Sequence, residues 1–417
     1  MAESTSLNSA AGPASTRRSL LALDALNFFL ADVTGGLGPF LAVYLLSERH
    51  WDPAQIGAAL TAAGVATVAA RAPAGALVDA VTAKRATIVA GALVVGGAAA
   101  TMALWPDFWP VIIAQAVSGI ADAGLPPAVA AISLGIVGRA SFTRRVGRNE
   151  AFNHAGNAVT AVLAGLAGYL IAPSAVLWIV AVLALASIAA ALAVRGHDID
   201  HEQARGYEDA HGQHTPSGLR AILGCRPLLL FTAAITLFHF ANAAMLPLVG
   251  EKLAQENHAA SSLFMAACIL TAQIVMVPMA LLVGHKADEW GRKPIFLAGF
   301  AVLPLRGILF TLSNDPAYLI GVQILDGIGA GIFGALFFIV VADLTKGTGR
   351  YNLAQGSAAA CWGLGAALSN GMAGFIAARF GYTAAFLCLA ALAAAAMLLF
   401  WISVPETRDA APMKTGA

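Results

Sequence analysis

The chain has 417 residues, of which 59% are hydrophobic and only 11% are charged, and its formal net charge is +1. Soluble proteins carry about 25% charged residues, so the composition excludes an ordinary soluble protein and indicates that lipid solvates most of the surface. No basic or acidic tail points to a nucleic-acid partner. The four cysteines have no short spacing, so neither a disulfide framework nor a zinc site is predicted, and no cofactor is expected.

A helix that spans a membrane needs about 20 apolar residues. Residues 1–19 are a polar tail, and the run that follows is too long for the core of a signal peptide and lacks a convincing cleavage signal, so we predict a membrane helix there. Twelve such apolar runs can be drawn along the chain. They cover residues 20–46, 54–78, 86–105, 108–137, 149–172, 175–194, 227–249, 259–284, 294–312, 316–342, 352–378 and 382–403.

One long hydrophilic stretch, residues 195–226, divides the runs into two sets of six. The predicted organisation is a tail (1–19), a six-helix bundle (20–194), a central loop (195–226), a second six-helix bundle (227–403) and a second tail (404–417). Weak internal similarity supports a repeat. Gly165–Tyr169 matches Gly371–Phe375 at a shift of 206 residues, and Gln115–Gly119 matches Gln323–Gly327 at a shift of 208. The two halves are therefore predicted to be parallel copies.

The distribution of Lys and Arg predicts the orientation in the membrane, because cytoplasmic loops carry an excess of these residues. If the N-terminus is cytoplasmic, the tails and the even-to-odd loops hold 19 of the 24 basic residues, and the opposite side holds three. We therefore expect a multi-pass protein of the inner (cytoplasmic) membrane with both termini in the cytoplasm.

Gly284–Lys293 reads G-x-x-x-D-x-x-G-R-K, and a degenerate copy begins at Gly75, with its aspartate 209 residues before that of the intact copy. The last run is followed by Pro405-Glu-Thr-Arg408. Both patterns resemble loops of the major facilitator superfamily (MFS) of secondary transporters, and the resemblance extends over nearly the whole chain. It implies an all-α membrane protein with twelve transmembrane helices in two pseudo-symmetric six-helix bundles. Such proteins work by alternating access, and their loops of this type form a cytoplasmic latch.

The latch is predicted to act as a cytoplasmic gate. Gly284 would let two helices approach, Gly291 would permit a tight turn, and Arg292 with Lys293 would anchor the loop at the anionic inner face. Asp288 would accept from a helix N-terminus or a cation. The first copy lacks the second glycine and most basic residues, so we expect a weaker latch there. The predicted gate residues are Asp79, Glu150, His154, Gly284, Asp288, Gly291, Arg292 and Lys293.

Glu150, His154 and Asn157 share one face of the fifth predicted helix, because they are spaced i, i+4 and i+7. This face is expected to point into the protein. It would serve as a cytoplasmic gate, as a substrate contact or as polar glue between helices.

Ionisable groups at membrane depth are costly and therefore mark candidate sites. With a rise of about 1.5 Å per residue, Asp32, His239, Arg306 and Asp326 fall about 15–18 Å into their runs, and Asp122 lies somewhat deeper. In MFS members helices 1, 4, 7 and 10 line the central cavity, which is where four of these groups are predicted. The candidate residues for proton coupling and the substrate cavity are Asp32, Gln115, Asp122, Asn157, His239, Asn242 and Asp326.

Alternatives stay open for each group. Asp32 is the first choice for proton coupling, as in proton-driven MFS exporters with a carboxylate in helix 1, but it is also consistent with a permanent structural hydrogen bond. His239 is either a structural histidine or a substrate- or proton-binding group. Asp326 either binds substrate or forms a structural ion pair with Arg306.

Two features limit the subclass and the cargo. The Gly-Pro pair of proton antiporters is absent from the fifth helix, and Gln115 stands where exporters carry an arginine, so Asp122 or His239 are alternative coupling groups. The central loop holds His197, His201, His211 and His214, which favour a solvated linker over a metal site because their spacing is irregular.

The predicted function is secondary active transport of a small molecule. No phosphate loop indicates ATP as a driving force, and no nucleophile-and-base signature indicates an enzyme. The first choice is proton-coupled efflux of a small, largely apolar or cationic compound. The alternatives are proton-coupled uptake of a nutrient, export of a metal ion or chelate, and a non-transporting receptor on the same fold. The predicted partners are the small-molecule substrate, protons and membrane lipid, and the protein is predicted to be a monomer that binds no nucleic acid.

Overall fold

The computed structural model describes residues 14–31, 33, 37–201, 225–256, 260–345 and 351–408. These residues form helices and one short 3-10 turn, Gly196–Asp198, with no strand in the described ranges. The predicted all-α class is confirmed. The helices are α1 Ala14–Leu30, α2 Leu37–Ser47, α3 Pro53–Ala80, α4 Lys84–Leu104, α5 Phe108–Asp122, α6 Leu125–Leu170, α7 Ala175–Ala193, α8 Arg226–Asn242, α9 Met245–Glu256, α10 Ser261–Trp290, α11 Arg292–Leu309, α12 Pro316–Leu344 and α13 Tyr351–Ser403.

The helices follow the twelve predicted runs, although their ends differ. Among the described residues, eight stretches are long and apolar enough to cross a membrane, by length and composition. Two helices each extend through a bend from one predicted run into the next. Gly138 (φ 67°) bends α6 and Gly381 (φ 84°) bends α13. Glycine occupies both bends because a side chain disfavours a positive φ. Runs 4 and 5, and runs 11 and 12, are therefore joined by sharp turns rather than by loops.

Three predicted runs are divided, which corrects the expectation of one helix for each run. Run 1 is split between α1 and α2, run 4 between α5 and α6, and run 7 between α8 and α9. Proline explains the last two breaks, because its ring clashes with the carbonyl four residues earlier. Pro126 follows the end of α5, and Pro247 follows the end of α8. At the second break the N–H of Ala244 donates instead to Ser369 Oγ at 3.2 Å.

The bundle has two ends, which we name by the segments that lie there. The terminal side carries residues 81–83, 195–201, Gly291 and 404–408, and the opposite side carries residues 48–52, 171–174 and 310–315. The two halves touch most closely through α3 and α13. A Cβ at Gly57 would collide with the carbonyl oxygen of Asn370, and one at Gly64 would lie 2.6 Å from the Cβ of Ala367. The contact runs toward the terminal side as far as Arg71, whose Nη1 donates to the carbonyl of Ala359 at 3.4 Å.

Two further helix pairs join the halves on the opposite side. A Cβ at Gly165 of α6 would lie 2.5 Å from the Cβ of Ala266 on α10. A Cβ at Gly250 of α9 would lie 3.1 Å from a methyl group of Val43 on α2. Because these contacts lie at one end of the helices, the two halves are closed against each other on the opposite side.

Gly57→Ala is expected to destabilise the protein, since the added methyl group needs space that the Asn370 carbonyl occupies. Overpacking of this kind costs about 1–3 kcal/mol, so the thermal unfolding temperature of the detergent-solubilised protein should fall. Gly75→Ala is the matched control on the same helix, because no atom lies within 4 Å of the position of its Cβ. Equal unfolding temperatures for the two variants would contradict the close contact between α3 and α13.

Candidate functional site

A cavity of about 130 Å³ lies in the C-terminal half between α8, α11 and α12. Polar and aromatic side chains share its wall, which is unusual inside an apolar bundle. Asn242 is the last residue of α8 and Arg306 lies three residues before the end of α11, whereas Asp326 lies ten residues after the start of α12. The residues that carry its chemistry are Phe238, His239, Asn242, Arg306, Asp326 and Phe333.

An ion pair forms one wall of this cavity. Arg306 Nη1 lies 2.5 Å from Asp326 Oδ1 and also donates to Asn242 Oδ1 at 2.7 Å. Arg306 is 1% exposed, whereas the side chain of Asp326 is 18% exposed. The predicted pairing of Arg306 with Asp326 is therefore observed, and its acidic partner is the more accessible one. Because Asn242 shares the same guanidinium nitrogen, Arg306 keeps a partner when another group binds Asp326.

An aromatic wall faces the ion pair. His239 stacks on Trp362 with ring centroids 4.4 Å apart, and its ring meets Phe333 edge-on at the same distance. Among the described residues, His239 Nε2 has no hydrogen-bond partner although it is buried. Buried polar atoms are nearly always paired with protein or water, so this nitrogen is available to a water, a proton or a ligand.

The other predicted cavity residues lie in the N-terminal half, apart from this cavity. Asp122 is the last residue of α5, and its buried Oδ1 has no hydrogen-bond partner within the described part of the chain. Arg71 is the charged group that acts electrostatically on it. Gln115 is buried on α5, and Asn157 is half-buried with its amide donating to Asn153 Oδ1 at 3.2 Å. Asp32 lies outside the described residues. The described candidates for the substrate cavity thus fall into two groups, one in each half.

The polar face of α6 does not point into the packed interior as expected, because Glu150 and His154 are both exposed. At about 100° per residue, this face continues into the face of Gly165 and Gly168. Those glycines contact α10 of the other half on the opposite side. The polar face therefore lies along the gap between the halves on the terminal side, where the helices are apart.

A charge cluster on the terminal side was missed by the sequence analysis. Asp24 of α1 is buried, with 4% of its surface exposed. Its Oδ1 lies 2.6 Å from Arg145 Nη2, and its Oδ2 lies 2.7 Å from Arg148 Nη2. Arg145 also donates to Asn149 at 2.7 Å. In the sequence both arginines lie between two predicted apolar runs and were assigned to a loop. Their contact with Asp24 of α1 is visible only in the folded structure.

The loop motif and the C-terminal motif form one structure, which we call the C-terminal strap (residues 404–408). Glu406 accepts from the N–H groups of Arg292 and Lys293 at 2.9 and 3.0 Å, and thereby caps the N-terminus of α11. Thr407 and Arg408 donate their own N–H groups to the same carboxylate. Partial burial raises the pKa of Glu406, but these four N–H donors outweigh it and hold the pKa below its usual value.

The predicted roles of the gate residues are corrected in part. Gly291 does permit a turn, with φ 88°. The side chain of Arg292 contacts other parts of the protein: its Nε lies 3.4 Å from Asp343 Oδ2, and its Nη1 donates to the carbonyl of Ala287. No atom lies within 4 Å of a Cβ built on Gly284, so this glycine makes no close approach in this conformation. The side chains of Asp79 and Asp288 lie outside the described part of the structure.

The N-terminal half holds its corresponding segment by different contacts. Asp198 stands 208 residues before Glu406, yet its Oδ2 accepts from Ser19 Oγ at 2.6 Å instead of capping a helix. Arg85 instead donates to the carbonyl of Val194 at 2.6 Å. The start of the predicted central loop is therefore attached to the bundle. His211 and His214 lie outside the described residues, among which no group of three metal-binding side chains occurs.

The sequence profile of the Major Facilitator Superfamily matches residues 23–278 and residues 231–417. The chain belongs to the Major Facilitator Superfamily. A Mycobacterium tuberculosis protein described as an uncharacterized MFS-type transporter is 52% identical over 390 residues, which are 93% of each chain. This MFS protein is therefore a membrane transporter, and the predicted membership and fold class are confirmed.

Two more distant similarities were found. The crystal structure of a point mutant of the nucleoside transporter NupG superposes with a TM-score of 0.79 at 16% identity. The match covers 93% of this chain and all of that one, and it shows the fold alone. The multidrug resistance protein fnx1 of Schizosaccharomyces pombe is 28% identical over 145 residues, which are 34% of this chain and 26% of fnx1.

Glu406→Ala is expected to destabilise the C-terminal half, because the N-terminus of α11 then loses its cap. Loss of a helix cap costs about 0.5–2 kcal/mol, which a thermal unfolding measurement on the solubilised protein detects. Because the pKa of Glu406 is lowered in the folded protein, this contribution is present at neutral pH and is lost as the pH falls through the folded-state pKa. Glu289→Ala, which removes only an exposed ion pair with Lys286, is the matched control. The cap would be excluded if the two variants lost equal stability relative to the parent protein. It would also be excluded if the stability lost by Glu406→Ala were the same at acid pH as at neutral pH.

Asp326→Asn is expected to lower stability by about 3–5 kcal/mol, because the fully buried Arg306 is left without its counter-ion. The double variant Arg306→Met/Asp326→Leu should recover most of this loss, since an apolar pair of similar volume is often neutral in a core. Thermal unfolding of the three proteins tests this. A double variant that is less stable than Asp326→Asn would show that the pair does not act as a unit.

Proposed function

We propose that the protein is a proton-coupled exporter of a small, largely apolar or cationic compound. The observation that carries the proposal is the cavity in which an accessible carboxylate, Asp326, faces an aromatic wall of Phe333 and His239. A cation is attracted by a carboxylate and by aromatic faces, and an apolar body is accommodated by the remaining lining.

Arg306 makes the site responsive to charge. Its Nη1 contacts Asp326 and Asn242 together. When a cationic substrate or a proton neutralises Asp326, the guanidinium keeps its hydrogen bond to the amide oxygen of Asn242 but loses its counter-ion. Because an unpaired buried charge is costly, neutralisation of Asp326 favours a displacement of Arg306, and binding is thereby linked to the position of that side chain.

Proton coupling is assigned to the N-terminal half. Asp122 carries a buried oxygen with no partner among the described residues, and Arg71 acts on its charge from α3. Arg71 also reaches the carbonyl of Ala359 in the other half. A change of charge on Asp122 therefore alters the attraction on a side chain that joins the halves. Asp32, the first choice from the sequence, remains a second carrier in this proposal.

The conformation is compatible with export, and one comparison favours that direction over uptake. The closed contacts on the opposite side leave the polar face of α6, with Glu150 and His154, exposed between the halves on the terminal side, which is the cytoplasmic side in our proposal. A substrate from the cytoplasm enters this conformation first. The local similarity to a protein named for multidrug resistance supports the same direction. Proton-coupled uptake is the alternative, since an importer also passes through this conformation.

Direction is tested by growth. In a drug-sensitive bacterial host, expression of an exporter should raise tolerance to its substrate, and an importer should lower it. Ethidium and tetraphenylphosphonium are the first probes, within a panel that includes metal salts and nucleosides. Increased sensitivity to every compound that changes growth would reverse the proposed direction.

Coupling is tested in proteoliposomes with the same probes. Asp122→Asn is expected to abolish accumulation driven by a pH gradient, while exchange of labelled for unlabelled substrate without a gradient persists. Asp32→Asn is measured in parallel. The matched control is Asp107→Asn, because Asp107 is exposed at the start of α5 and its side chain caps no N–H there. Full gradient-driven accumulation by both Asp122→Asn and Asp32→Asn would refute the assignment of coupling to the N-terminal half.

A further inference from the structure

A second acidic group is buried at the closed end of the transporter. Glu251 lies on α9, beyond the apolar run that the sequence predicts, and is only 2% exposed. Its Oε2 accepts from the hydroxyl of Tyr382 at 3.2 Å. None of the ion pairs between described residues includes it. If Glu251 is ionised, the hydrogen bond from the neutral hydroxyl of Tyr382 is therefore the one contact among the described residues that stabilises its buried charge.

Glu251 lies at the boundary between the halves. The preceding residue, Gly250, approaches Val43 and the carbonyl of Pro39 on the other half. The carboxylate of Asp52, at the start of α3 in the other half, acts on Glu251 as a like charge. When the halves are closed, an ionised Glu251 is therefore both desolvated and repelled across the boundary.

The other charged groups nearby do not neutralise Glu251. Lys252 directs its Nζ to the carbonyls of Phe310 and Ser313, at 2.8 and 2.9 Å. Glu48 accepts from the N–H of Ser174 at 3.0 Å. Among the described side chains at this end, three further charged or titratable groups are exposed, namely Arg49 and His50 before α3 and Arg379 before the bend in α13.

We propose that Glu251 is a proton-operated latch that holds the opposite side closed. With a proton, the carboxyl group is neutral and is compatible with burial beside Tyr382 of α13, at the boundary between α9 and α2. Without it, the uncompensated charge favours separation of the halves, because water then reaches the carboxylate. The latch acts on the conformation of the protein itself, and it needs neither a particular substrate nor the proposed direction of transport.

The sign of the pH dependence follows from this difference between the closed and the open state. Closure is favoured at acid pH and is weakened as the pH rises above the ordinary pKa of a glutamate, about 4.3. A single group of this kind changes the ratio of closed to separated molecules by at most about tenfold for each pH unit.

The test measures the separation of the two halves directly. Spin labels are placed at Asp107→Cys and Leu312→Cys, which are exposed on the opposite side, one in each half. Cys361 and Cys388, the two cysteines that are not fully buried, are replaced by serine. Distance distributions are recorded between about pH 5 and pH 9 without substrate, and the expected result is a short distance at acid pH that gives way to a longer one.

Three variants separate the latch from other titrating groups. Glu251→Gln should remain closed at every pH. Asp52→Asn, which keeps a good N-cap for α3, should remain closed to higher pH because the repulsion is gone. Tyr382→Phe should separate at lower pH, because the closed state loses the hydroxyl donor. Size-exclusion profiles and thermal unfolding confirm that each variant is folded.

The outcomes are decisive in either direction. A pH response of folded Glu251→Gln equal to that of the parent protein would overturn the latch. Shifts of Asp52→Asn and Tyr382→Phe in the same direction would also overturn it. If Glu251→Gln stays closed at every pH and still shows normal gradient-driven transport, the latch is supported and transport coupling lies in another residue. Failure of the latch is therefore distinguishable from failure of the proposed coupling.

Discussion

Glycine permits direct backbone contact between the two halves, and the positions of the other functional groups follow from that contact. Gly57 and Gly64 bring α3 against α13, and Gly165 brings α6 against α10. Because all of these contacts lie toward one end, the helices diverge toward the other. The polar face of α6 is exposed where the helices diverge, whereas Glu251 is buried where they meet. One packing constraint thus determines which ionisable groups face water and which do not.

The two halves repeat each other in architecture but stabilise their terminal sides with different chemistry. In the C-terminal half a carboxylate, Glu406, binds the N–H groups of α11. In the N-terminal half an arginine, Arg85, binds a carbonyl at the end of α7. The clamp of Arg145 and Arg148 on Asp24 adds a second fastening there. An asymmetric gate was predicted from the eroded loop motif, and the contacts agree with asymmetry, although the first half is fastened by other residues rather than simply more weakly.

Much of the fold was predictable because hydropathy and charge placement are averaged over many residues. The twelve runs and the two halves followed from length and spacing, and the ion pair with Arg306 was one of the two roles that the sequence left open for Asp326. The breaks at Pro126 and Pro247 were not recognised, because proline within an apolar run does not interrupt its hydropathy. The sequence prediction left Glu251 between two apolar runs, because the seventh run ends at residue 249, whereas α9 continues to Glu256. The contact of Trp362 with His239 was also not predicted, because a tryptophan in an apolar run can equally well face lipid.

The segment that follows α7 has a consequence for the connection between the halves. Residues 195–201 and the C-terminal strap occupy corresponding places, each directly after the last helix of its half and each fastened to the terminal side of that half. Each half is therefore completed by a segment of its own, and the chain that leads on to α8 is not needed to hold the end of α7. A change in the length of the chain beyond His201 would leave the contacts of Asp198 and Arg85 in place.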